Sequence, residues 1–232
     1  MPDAQLTSNR NPNMNTKEKF VITISREIGS GGHTIGCELA RKLGIRFYDK
    51  ELINKLMQRF DLTAEQIEKL KAQKKGWLSD FINKLSPAPN ANLLIDADSP
   101  YTRSGGIEVT TDDIYKAEVE IINALAEESS CVFAGRSGFF VLKDHPNKFD
   151  IFITAPKESR IARVMIKQRL PKEEAQDLVE AIDKSRESFV KRYTGQSRYD
   201  LRNYDLCLDV GAFPDLDKAV DHILDIIRST ES

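Results

Sequence analysis

Residues 20–44 have the sequence FVITISREIGSGGHTIGCELARKLG, which combines a strand, a glycine-rich turn and a helix. The five apolar or β-branched residues at positions 20–24 predict a buried parallel strand. In the helix that follows, Ile35, Leu39 and Leu43 recur every four residues along one face. The ordered part of the chain therefore begins with a strand, turn and helix of the kind that builds α/β proteins.

The turn inside this unit has glycine at three of four consecutive positions, 29–32. Main-chain N–H groups can converge in such a turn because glycine has no Cβ to hold them apart. These N–H groups and the dipole of the following helix both favour an anion, so the unit predicts a phosphate site. A tight connection between strand and helix also needs small residues for purely structural reasons, and this alternative stays open here.

The turn departs from the phosphate-binding pattern G-x-x-x-x-G-K-[ST]. With Gly31 as the second glycine, Arg26 stands in place of the first glycine and Gly32 in place of the lysine. His33 takes the hydroxyl position, and Thr34 follows it. His33 can donate a hydrogen bond to a phosphate or cap the helix, and both roles stay open.

The composition is that of an ordinary globular protein, with 40% hydrophobic and 30% charged residues among 232. The net charge of -2 provides no global field that would attract nucleic acid polymers or membranes. No apolar run approaches the roughly 18 residues of a spanning helix, and residues 1–19 have no signal-peptide core, so we expect a cytoplasmic protein. Cys37, Cys131 and Cys207 lack CxxC spacing, which predicts free thiols.

Strands and helices alternate along the chain, which predicts a parallel sheet covered by helices on both faces. After the first strand, strands are predicted at residues 45–48, 131–134, 149–154 and 204–210. Later helices are predicted at residues 111–128, 157–168, 172–193 and 216–227. We expect residues 1–19, which are polar and rich in asparagine, to be a disordered tail before an α/β domain at residues 20–232.

Arginines in the second half of the chain can supply the positive charge that phosphoryl transfer needs around the moving group. Arg136 follows a predicted strand, at the carboxyl edge where open α/β sheets bind ligands. It is equally explained as a turn arginine paired with a carboxylate. Asp49 ends the second predicted strand, where it can hold Mg²⁺ through water, bind a substrate sugar, or only cap the next helix.

Two charged helices follow the fourth predicted strand. Arg160 and Arg163 share one face of the first helix, and Asp183 and Arg186 share one side of the second. A solvated face and an intrahelical ion pair are the simple explanations for these two pairs. The alternative is a hinged lid, residues 157–200, whose arginines close on a triphosphate.

Six phrases, in this order along the chain, resemble the cytidylate kinase-like family of P-loop nucleoside monophosphate kinases. They are ISREIGSGGHTIG, FYDKELI, CVFAGRSGFFVL, RIARV with a later arginine, DKSRESFVKRYTG and YDLCLDV. The resemblance extends from residue 20 to about residue 227. It implies a three-layer α/β/α P-loop kinase fold, with a five-stranded parallel sheet in the order 2-3-1-4-5, a helical lid and an acceptor-side insert at residues 58–106. It also implies ATP, Mg²⁺ and small-molecule nucleotide substrates.

The resemblance also implies roles for individual residues. Residues 29–34 would form the ATP phosphate loop, Asp49 would belong to the monophosphate side, and Arg136 would contact the acceptor phosphate. The predicted catalytic residues are Arg136, Arg163, Asp183 and Arg186. The predicted cofactor-binding residues are Arg26, Gly29, Ser30, Gly31, Gly32, His33, Thr34 and Arg160. Asp49 and Arg136 are predicted to bind substrate, and no residue is predicted to bind a metal directly.

Two positions depart from the pattern of that family: Gly32 replaces a lysine, and Ser137 replaces an aspartate. Without the lysine, the β- and γ-phosphates lose a positive charge aimed at the transition state. Either Arg26 or a lid arginine compensates, or the protein binds nucleotide with little turnover. The leading hypothesis is an ATP-dependent phosphotransferase acting on a nucleoside monophosphate, with CMP or dCMP favoured. The alternatives are a regulatory nucleotide-binding protein with weak or no kinase activity, and a kinase for another small acceptor.

Overall fold

The computed structural model describes residues 14–49 and 111–230 of the chain. The strands are β1 (Val21–Arg26), β2 (Arg46–Asp49), β3 (Cys131–Ala134), β4 (Lys148–Thr154) and β5 (Leu206–Asp209). The helices are α1 (Gly32–Leu43), α2 (Thr111–Glu128), α3 (Gly138–Val141), α4 (Lys157–Gln168), α5 (Lys172–Thr194) and α6 (Leu216–Ser229), with 3₁₀ turns at Leu201–Asn203 and Val210–Ala212. The chain divides into two compact units, Met1–Phe47 with Ser130–Ser232, and Tyr48–Ser129.

The five strands form one sheet in the order β2-β3-β1-β4-β5, which confirms the predicted fold. β1 lies at the centre and pairs in parallel with β3, where Ile22 is opposite Val132, and with β4, where Ile24 is opposite Ile151. β4 pairs in parallel with β5. Because these strands run in the same direction, the turns that follow β1 and β3 lie side by side at the carboxyl edge of the sheet.

The main hydrophobic core lies where the sheet packs against α1 and α6. Strands β1 and β4 are buried almost throughout, as expected for central strands of a parallel sheet covered on both faces. The buried side chains that the two helices direct into this core are Ile35, Leu39 and Ala40 from α1, and Ala219, Val220, Ile223, Leu224 and Ile227 from α6. The four-residue period read in α1 therefore marks its buried face.

A second, smaller core joins α4 and α5, and it reaches the turn after β1. Its buried members are Ile161 and Val164 of α4 with Ala175 and Val179 of α5. Ile28, from the turn after β1, packs against this cluster. The two charged helices are thus attached to the turn by apolar contacts as well as by the polar ones described below.

The chain before β1 differs from the predicted disordered tail at residues 14–19. Met14 is 2% exposed and belongs to the main core. The side chain of Asn147 binds this segment, because its Nδ2 donates to the carbonyls of Asn15 (2.8 Å) and Lys19 (3.0 Å) while its Oδ1 accepts from the Asn15 N–H (3.0 Å). One buried methionine and one bridging asparagine thus hold a segment that has little else to bury. Residues 1–13 and the predicted insert at 58–106 lie outside the described residues.

The predicted bounds of the longer elements agree closely with the structure, and the differences are local. β5 is shorter than predicted, because Tyr204 ends a 3₁₀ turn by donating its N–H to the Leu201 carbonyl (3.1 Å) and Val210 begins another. Helix α3 was not predicted, since four residues are too few to show a helical period. None of the helices in residues 14–49 and 111–230 combines the length and hydropathy needed to cross a membrane.

Candidate active site

The turn between β1 and α1, residues 26–34, is called the phosphate turn below. Gly29 (φ 76°) and Gly31 (φ 86°) adopt left-handed conformations that favour glycine, and Gly31 caps α1 without a side-chain hydrogen bond. Ser30 is buried, and its Oγ donates to the Glu27 carbonyl at 2.8 Å. Within the described part of the chain, the N–H groups of Gly29, Gly31 and Thr34 have no protein acceptor. Main-chain donors at the start of a helix suit an anion.

Arginines from later in the chain bind the carbonyl groups of the phosphate turn. Arg160 Nη1 lies 3.3 Å from the Ile28 carbonyl, and Arg163 Nη1 lies 3.0 Å from the Gly29 carbonyl. Arg186 Nη1 donates to the Arg26 carbonyl at 3.1 Å, and Arg198 Nη2 donates to the same oxygen. A trans peptide directs its carbonyl and its N–H to opposite sides. Because the Ile28 carbonyl faces Arg160, the Gly29 N–H points away from that guanidinium.

Asp183 of α5 is the buried centre of this arrangement. Its Oδ1 accepts the Ile28 N–H at 3.0 Å, and its Oδ2 lies 2.5 Å from Arg160 Nη1. Arg198 Nη1 lies 3.8 Å from the same carboxylate. Burial lowers the pKa of the Arg198 guanidinium, although an arginine stays charged at neutral pH. Asp183 and Arg160, predicted as lid residues, here hold the phosphate turn in place.

Glu27 completes the support on the side of β4. Its Oε1 lies 3.5 Å from Arg160 Nη2, its Oε2 accepts from the Thr154 hydroxyl, and its N–H donates to the Ile153 carbonyl at 3.1 Å. The phosphate turn is therefore tied to β4, α4 and α5 by charged groups that are largely buried.

The turn after β3, residues 135–137, is called the arginine turn below. Gly135 (φ 90°), Arg136 (φ 54°) and Ser137 (φ 53°) are three consecutive residues with left-handed backbone. The Gly135 N–H donates to the Ile24 carbonyl of β1 at 2.9 Å, and the Gly138 N–H closes the turn on the Gly135 carbonyl at 3.1 Å. Non-glycine residues in this conformation are strained, and such strain concentrates at functional sites.

The side chains of the arginine turn are partly or fully enclosed. The Arg136 guanidinium carbon lies 5.4 Å from the centre of the Phe189 ring on α5, a cation–π distance. Ser137 is 4% exposed, and its hydroxyl has no protein partner among the described residues. The structure thus places Arg136 on the same edge of the sheet as the phosphate turn, with its side chain packed on α5.

A buried ion pair supports helix α3, which follows the arginine turn. Lys148 Nζ lies 2.6 Å from Asp150 Oδ2 and donates to the Phe139 carbonyl of α3 at 2.9 Å. Thr23 donates its hydroxyl to Asp150, and the Asp150 N–H donates to Asp205 Oδ2 at 2.8 Å. Burial raises the pKa of Asp150 to about 6, although Lys148 and Thr23 oppose the shift. β4 therefore supports the turn that positions Arg136.

The remaining predicted site residues have diverse surroundings. His33 is half-buried and makes an edge-on contact with the Phe47 ring, with 5.2 Å between ring centres. Thr34 is exposed in the first turn of α1. Asp49 is the last residue of β2.

The described residues contain no cluster of three His, Cys, Asp or Glu side chains that could hold a metal ion. All three cysteines are free thiols, and Cys131 is the fully buried one.

Arg26 and Arg198 both contribute to the site, but the sequence analysis predicted a role for Arg26 alone. Arg26 was predicted to bind the cofactor because it could compensate for the missing lysine, and its side chain extends from the phosphate turn to Gly135 of the arginine turn. Arg198 was not among the predicted site residues. It is 2% exposed, yet it follows a polar turn at Gly195, and no sequence signal separates it from a surface arginine.

The comparisons with known proteins identify the family and the fold. The profile of the cytidylate kinase-like family matches residues 21–212. The chain belongs to the cytidylate kinase-like family. Among solved structures, this family member is similar to an uncharacterized protein from Eubacterium ventriosum ATCC 27560, with 25% identity and a TM-score of 0.65 over 91% of this chain and 99% of the other.

A second solved structure extends the comparison to the fold alone. Shikimate kinase from Bacteroides thetaiotaomicron is 14% identical to this cytidylate kinase-like protein, with a TM-score of 0.50 over 91% of this chain and 99% of the other. None of the curated proteins matches the chain. Family and fold together support a P-loop kinase, which is a phosphotransferase with a small-molecule nucleotide substrate.

Proposed function

We propose that this P-loop kinase transfers the γ-phosphoryl group of ATP to a nucleoside monophosphate, with CMP or dCMP as the preferred acceptor. The observation that supports it most is the pair of turns at the carboxyl edge of the sheet. One turn has main-chain N–H groups without an acceptor among the residues that the structure describes, and the other, next to it on the same edge, has a strained arginine. Membership of the cytidylate kinase-like family supports the choice of acceptor.

On the donor side, the N–H groups of Gly29, Gly31 and Thr34 bind the polyphosphate of ATP. Asp183 and Arg160 hold the turn in shape by occupying the Ile28 N–H and carbonyl. Such preorganised donors stabilise developing charge without having to reorganise during the reaction. The proposal thus assigns the N–H groups to ATP and the buried charges to the geometry of the turn.

Arg163 is half-buried and binds the Gly29 carbonyl through Nη1. A guanidinium has five N–H donors, so Arg163 can contact phosphate oxygens as well. Arg186 binds the Arg26 carbonyl and brings a second positive charge to the same turn. Mg²⁺ in P-loop kinases is held by a hydroxyl at the start of the helix together with the phosphates. The exposed Thr34 hydroxyl fits this role, and the ion supplies neutralising charge when bound.

On the acceptor side, Arg136 binds the phosphate of the monophosphate. A charge-assisted, bidentate contact between guanidinium and phosphate fixes orientation as well as position. Transfer then proceeds in line: the bond from the γ-phosphorus to ADP breaks as a bond to the acceptor phosphate forms. The protein's task is to hold the two substrates in line and to neutralise charge.

The direct test is ADP release from ATP and Mg²⁺ with a panel of acceptors. The panel contains CMP, dCMP, UMP, AMP and GMP, together with shikimate, because a protein of the same fold is a shikimate kinase. Release stimulated most by CMP or dCMP supports the proposal. Stimulation by shikimate or another non-nucleotide alone contradicts the acceptor assignment. ATP binding without any release favours the second candidate, a nucleotide-binding protein with weak or no kinase activity, for which glycine at position 32 is the specific argument.

The variant Arg136→Ala tests the acceptor side. Arginine and alanine are strained to a similar degree in the left-handed backbone at position 136, so the substitution leaves the strain unchanged and removes the guanidinium. We expect the KM for the monophosphate to rise roughly 10–100-fold, because the charge-assisted hydrogen bonds to its phosphate are lost, with the Kd for ATP unchanged. The matched control is Lys143→Ala, which removes a cation that also lies over a ring, at 5.3 Å from the centre of Phe140. Equal acceptor kinetics in the two variants would assign Arg136 a structural role.

A further inference from the structure

The side chain of Arg26 occupies the space in which a side chain at position 32 would begin. A Cβ placed on Gly32 would lie 2.6 Å from the Cβ of Arg26 and 3.0 Å from its Cγ. Both distances are at or below the closest that real Cβ atoms show, so a side chain at position 32 would overlap the start of the Arg26 side chain. The glycine at position 32 and the arginine at position 26 are therefore linked: a side chain at one position excludes the other as it is placed here.

The far end of Arg26 lies at the arginine turn. A Cβ placed on Gly135 would lie 2.2 Å from Arg26 Nη1, so the guanidinium rests against the main chain of Gly135. Gly135 directly precedes Arg136, the residue proposed to bind the acceptor. The charged group of Arg26 thus lies between the turn proposed for ATP and the turn proposed for the monophosphate.

The main chain of Arg26 is fixed on both sides of the residue. Its carbonyl accepts from Arg186 and Arg198, and the N–H of the next residue, Glu27, donates to the Ile153 carbonyl of β4. These contacts leave the side chain of Arg26 with a fixed origin at the end of β1. Because the guanidinium is planar, arginine loses less rotamer entropy for each hydrogen bond to a phosphate than lysine does.

We infer that Arg26 replaces the missing P-loop lysine, with its guanidinium contacting the γ-phosphoryl group between donor and acceptor. The inference rests on the proposed function and extends it to a specific residue. Arg26 stays protonated throughout: the bond between the γ-phosphorus and ADP breaks, a bond to the acceptor oxygen forms, and Arg26 gives and takes no proton. Its planar group can bridge two phosphate oxygens, which a lysine cannot do.

The experiment compares Arg26→Met, Arg26→Lys, Gly32→Lys and the exchange Arg26→Gly with Gly32→Lys. Methionine keeps an aliphatic stem over Gly32 and removes the charge. The Kd values for ATP and for ADP are measured by calorimetry, and turnover by ADP release with CMP. Arg228→Ala is the control, because Arg228 is an exposed arginine on α6 that pairs with Asp225 at 3.3 Å.

We expect Arg26→Met to lower kcat roughly 100-fold, as the loss of one preorganised donor does, and to abolish any preference for ATP over ADP. Arg26→Lys should retain part of the turnover and part of the preference for ATP, because lysine keeps the charge but cannot bridge two phosphate oxygens. Gly32→Lys alone should impair turnover because the new side chain displaces Arg26. The double variant, Arg26→Gly with Gly32→Lys, should recover turnover. A purely structural role would change the Kd values for ATP and ADP equally, so an unchanged ratio in Arg26→Met, or a kcat within threefold of the wild type, overturns the inference.

The two proposals fail in different ways. If wild-type protein prefers ATP over ADP and Arg26→Met removes that preference, but no monophosphate stimulates ADP release, the acceptor assignment falls and the role of Arg26 stands. If CMP is phosphorylated equally well by wild type and Arg26→Met, the function stands and the role of Arg26 falls. Wild-type protein that binds ATP and ADP equally contradicts the contact between Arg26 and the γ-phosphate.

Discussion

The phosphate turn and the arginine turn lie side by side on the sheet, yet they are held by opposite means. The phosphate turn obtains its shape from side chains distant in sequence: Asp183, Arg160 and Arg198 bind its main chain. The arginine turn is held by main-chain hydrogen bonds, one within the turn and one to β1, which keep three residues in a left-handed backbone. The first turn therefore depends on charged side chains from distant elements, and the second depends on its own main chain and on the strands beneath it.

This difference predicts where each turn is vulnerable. A turn held by distant charges should fail when one of those charges is removed, even though the turn itself is unaltered. A turn held by its own backbone should respond to changes of the residues within it and of the strand beneath it. The three predictions below test this contrast, beginning with the largest effect.

The variant Asp183→Ala should have the largest effect. It removes the acceptor of the Ile28 N–H and leaves the buried guanidinium of Arg160 without this carboxylate. Breaking a buried ion pair by removing one partner costs about 4 kcal/mol, so the free energy of unfolding measured in urea should fall by about that amount. ATP affinity should fall with it, because the turn loses its shape.

The control for this variant lies on the same helix. Glu180 pairs with Lys157 at 2.6 Å, but both side chains are about half exposed. Glu180→Ala should leave the urea midpoint and ATP affinity as in the wild type, because exposed pairs contribute little. Equal stability of Asp183→Ala and Glu180→Ala would refute the view that distant charges shape the phosphate turn.

The support of the arginine turn should depend on pH through Asp150. Burial raises the pKa of Asp150 from an ordinary value of 3.8 to about 6, so the folded protein binds the proton more tightly than the unfolded chain. The contribution of Asp150 to the free energy of unfolding is then greatest below pH 4 and falls as the pH rises to about 6. A shift of about two units corresponds to about 3 kcal/mol.

The measurement compares wild type with Asp150→Asn in urea between pH 4 and pH 7. Asparagine does not titrate, so the difference between the two free energies of unfolding isolates Asp150. This difference should decrease with rising pH and level off above pH 6. A constant difference over the whole range would show that Asp150 keeps an ordinary pKa in the folded protein. In Lys148→Met the positive charge that lowers the pKa of Asp150 is lost. The pKa of Asp150 should then rise further, and the decrease in the free energy of unfolding should extend to higher pH.

The smallest effect is the difference between Gly29→Ala and Gly135→Ala. Both glycines have positive φ, so both variants incur backbone strain. At Gly29 the new methyl group would lie 2.5 Å from the main-chain oxygen of Arg160, whereas at Gly135 it would meet the flexible end of Arg26. Gly29→Ala should therefore be less stable than Gly135→Ala by about 2 kcal/mol. Equal stability would mean that α4 moves aside without cost.

Much of the fold could be predicted because it follows from periodicity and local chemistry. α4 begins and ends where the sequence predicts, and the parallel sheet follows from the alternation of strands and helices. The position of the phosphate turn was predictable from three glycines between an apolar strand and an amphipathic helix. Each of these signals lies within a few consecutive residues.

The charged contacts of the site could not be predicted in the same way. Sequence spacing placed Asp183 beside Arg186 on one helix, whereas the structure pairs Asp183 with Arg160, 23 residues away, and with Ile28, 155 residues away. Helical spacing identifies neighbours three or four positions apart and contains no information on partners in other elements. The sequence also did not predict the left-handed backbone of Arg136 and Ser137, because non-glycine residues seldom adopt this conformation.

The close approach of α4 to Gly29 limits where movement of the predicted lid, residues 157–200, could begin. The main chain of α4 at Arg160 packs against the main chain of the phosphate turn, and Arg160 and Arg163, about one helical turn apart, bind carbonyl groups of that turn. If these residues act as a lid, we expect the bend to lie farther out, near the junction of α4 and α5, where Arg169 has a φ of 56°. Arg160 and Arg163 would then stay with the phosphate turn while the more distant part of the two helices moves.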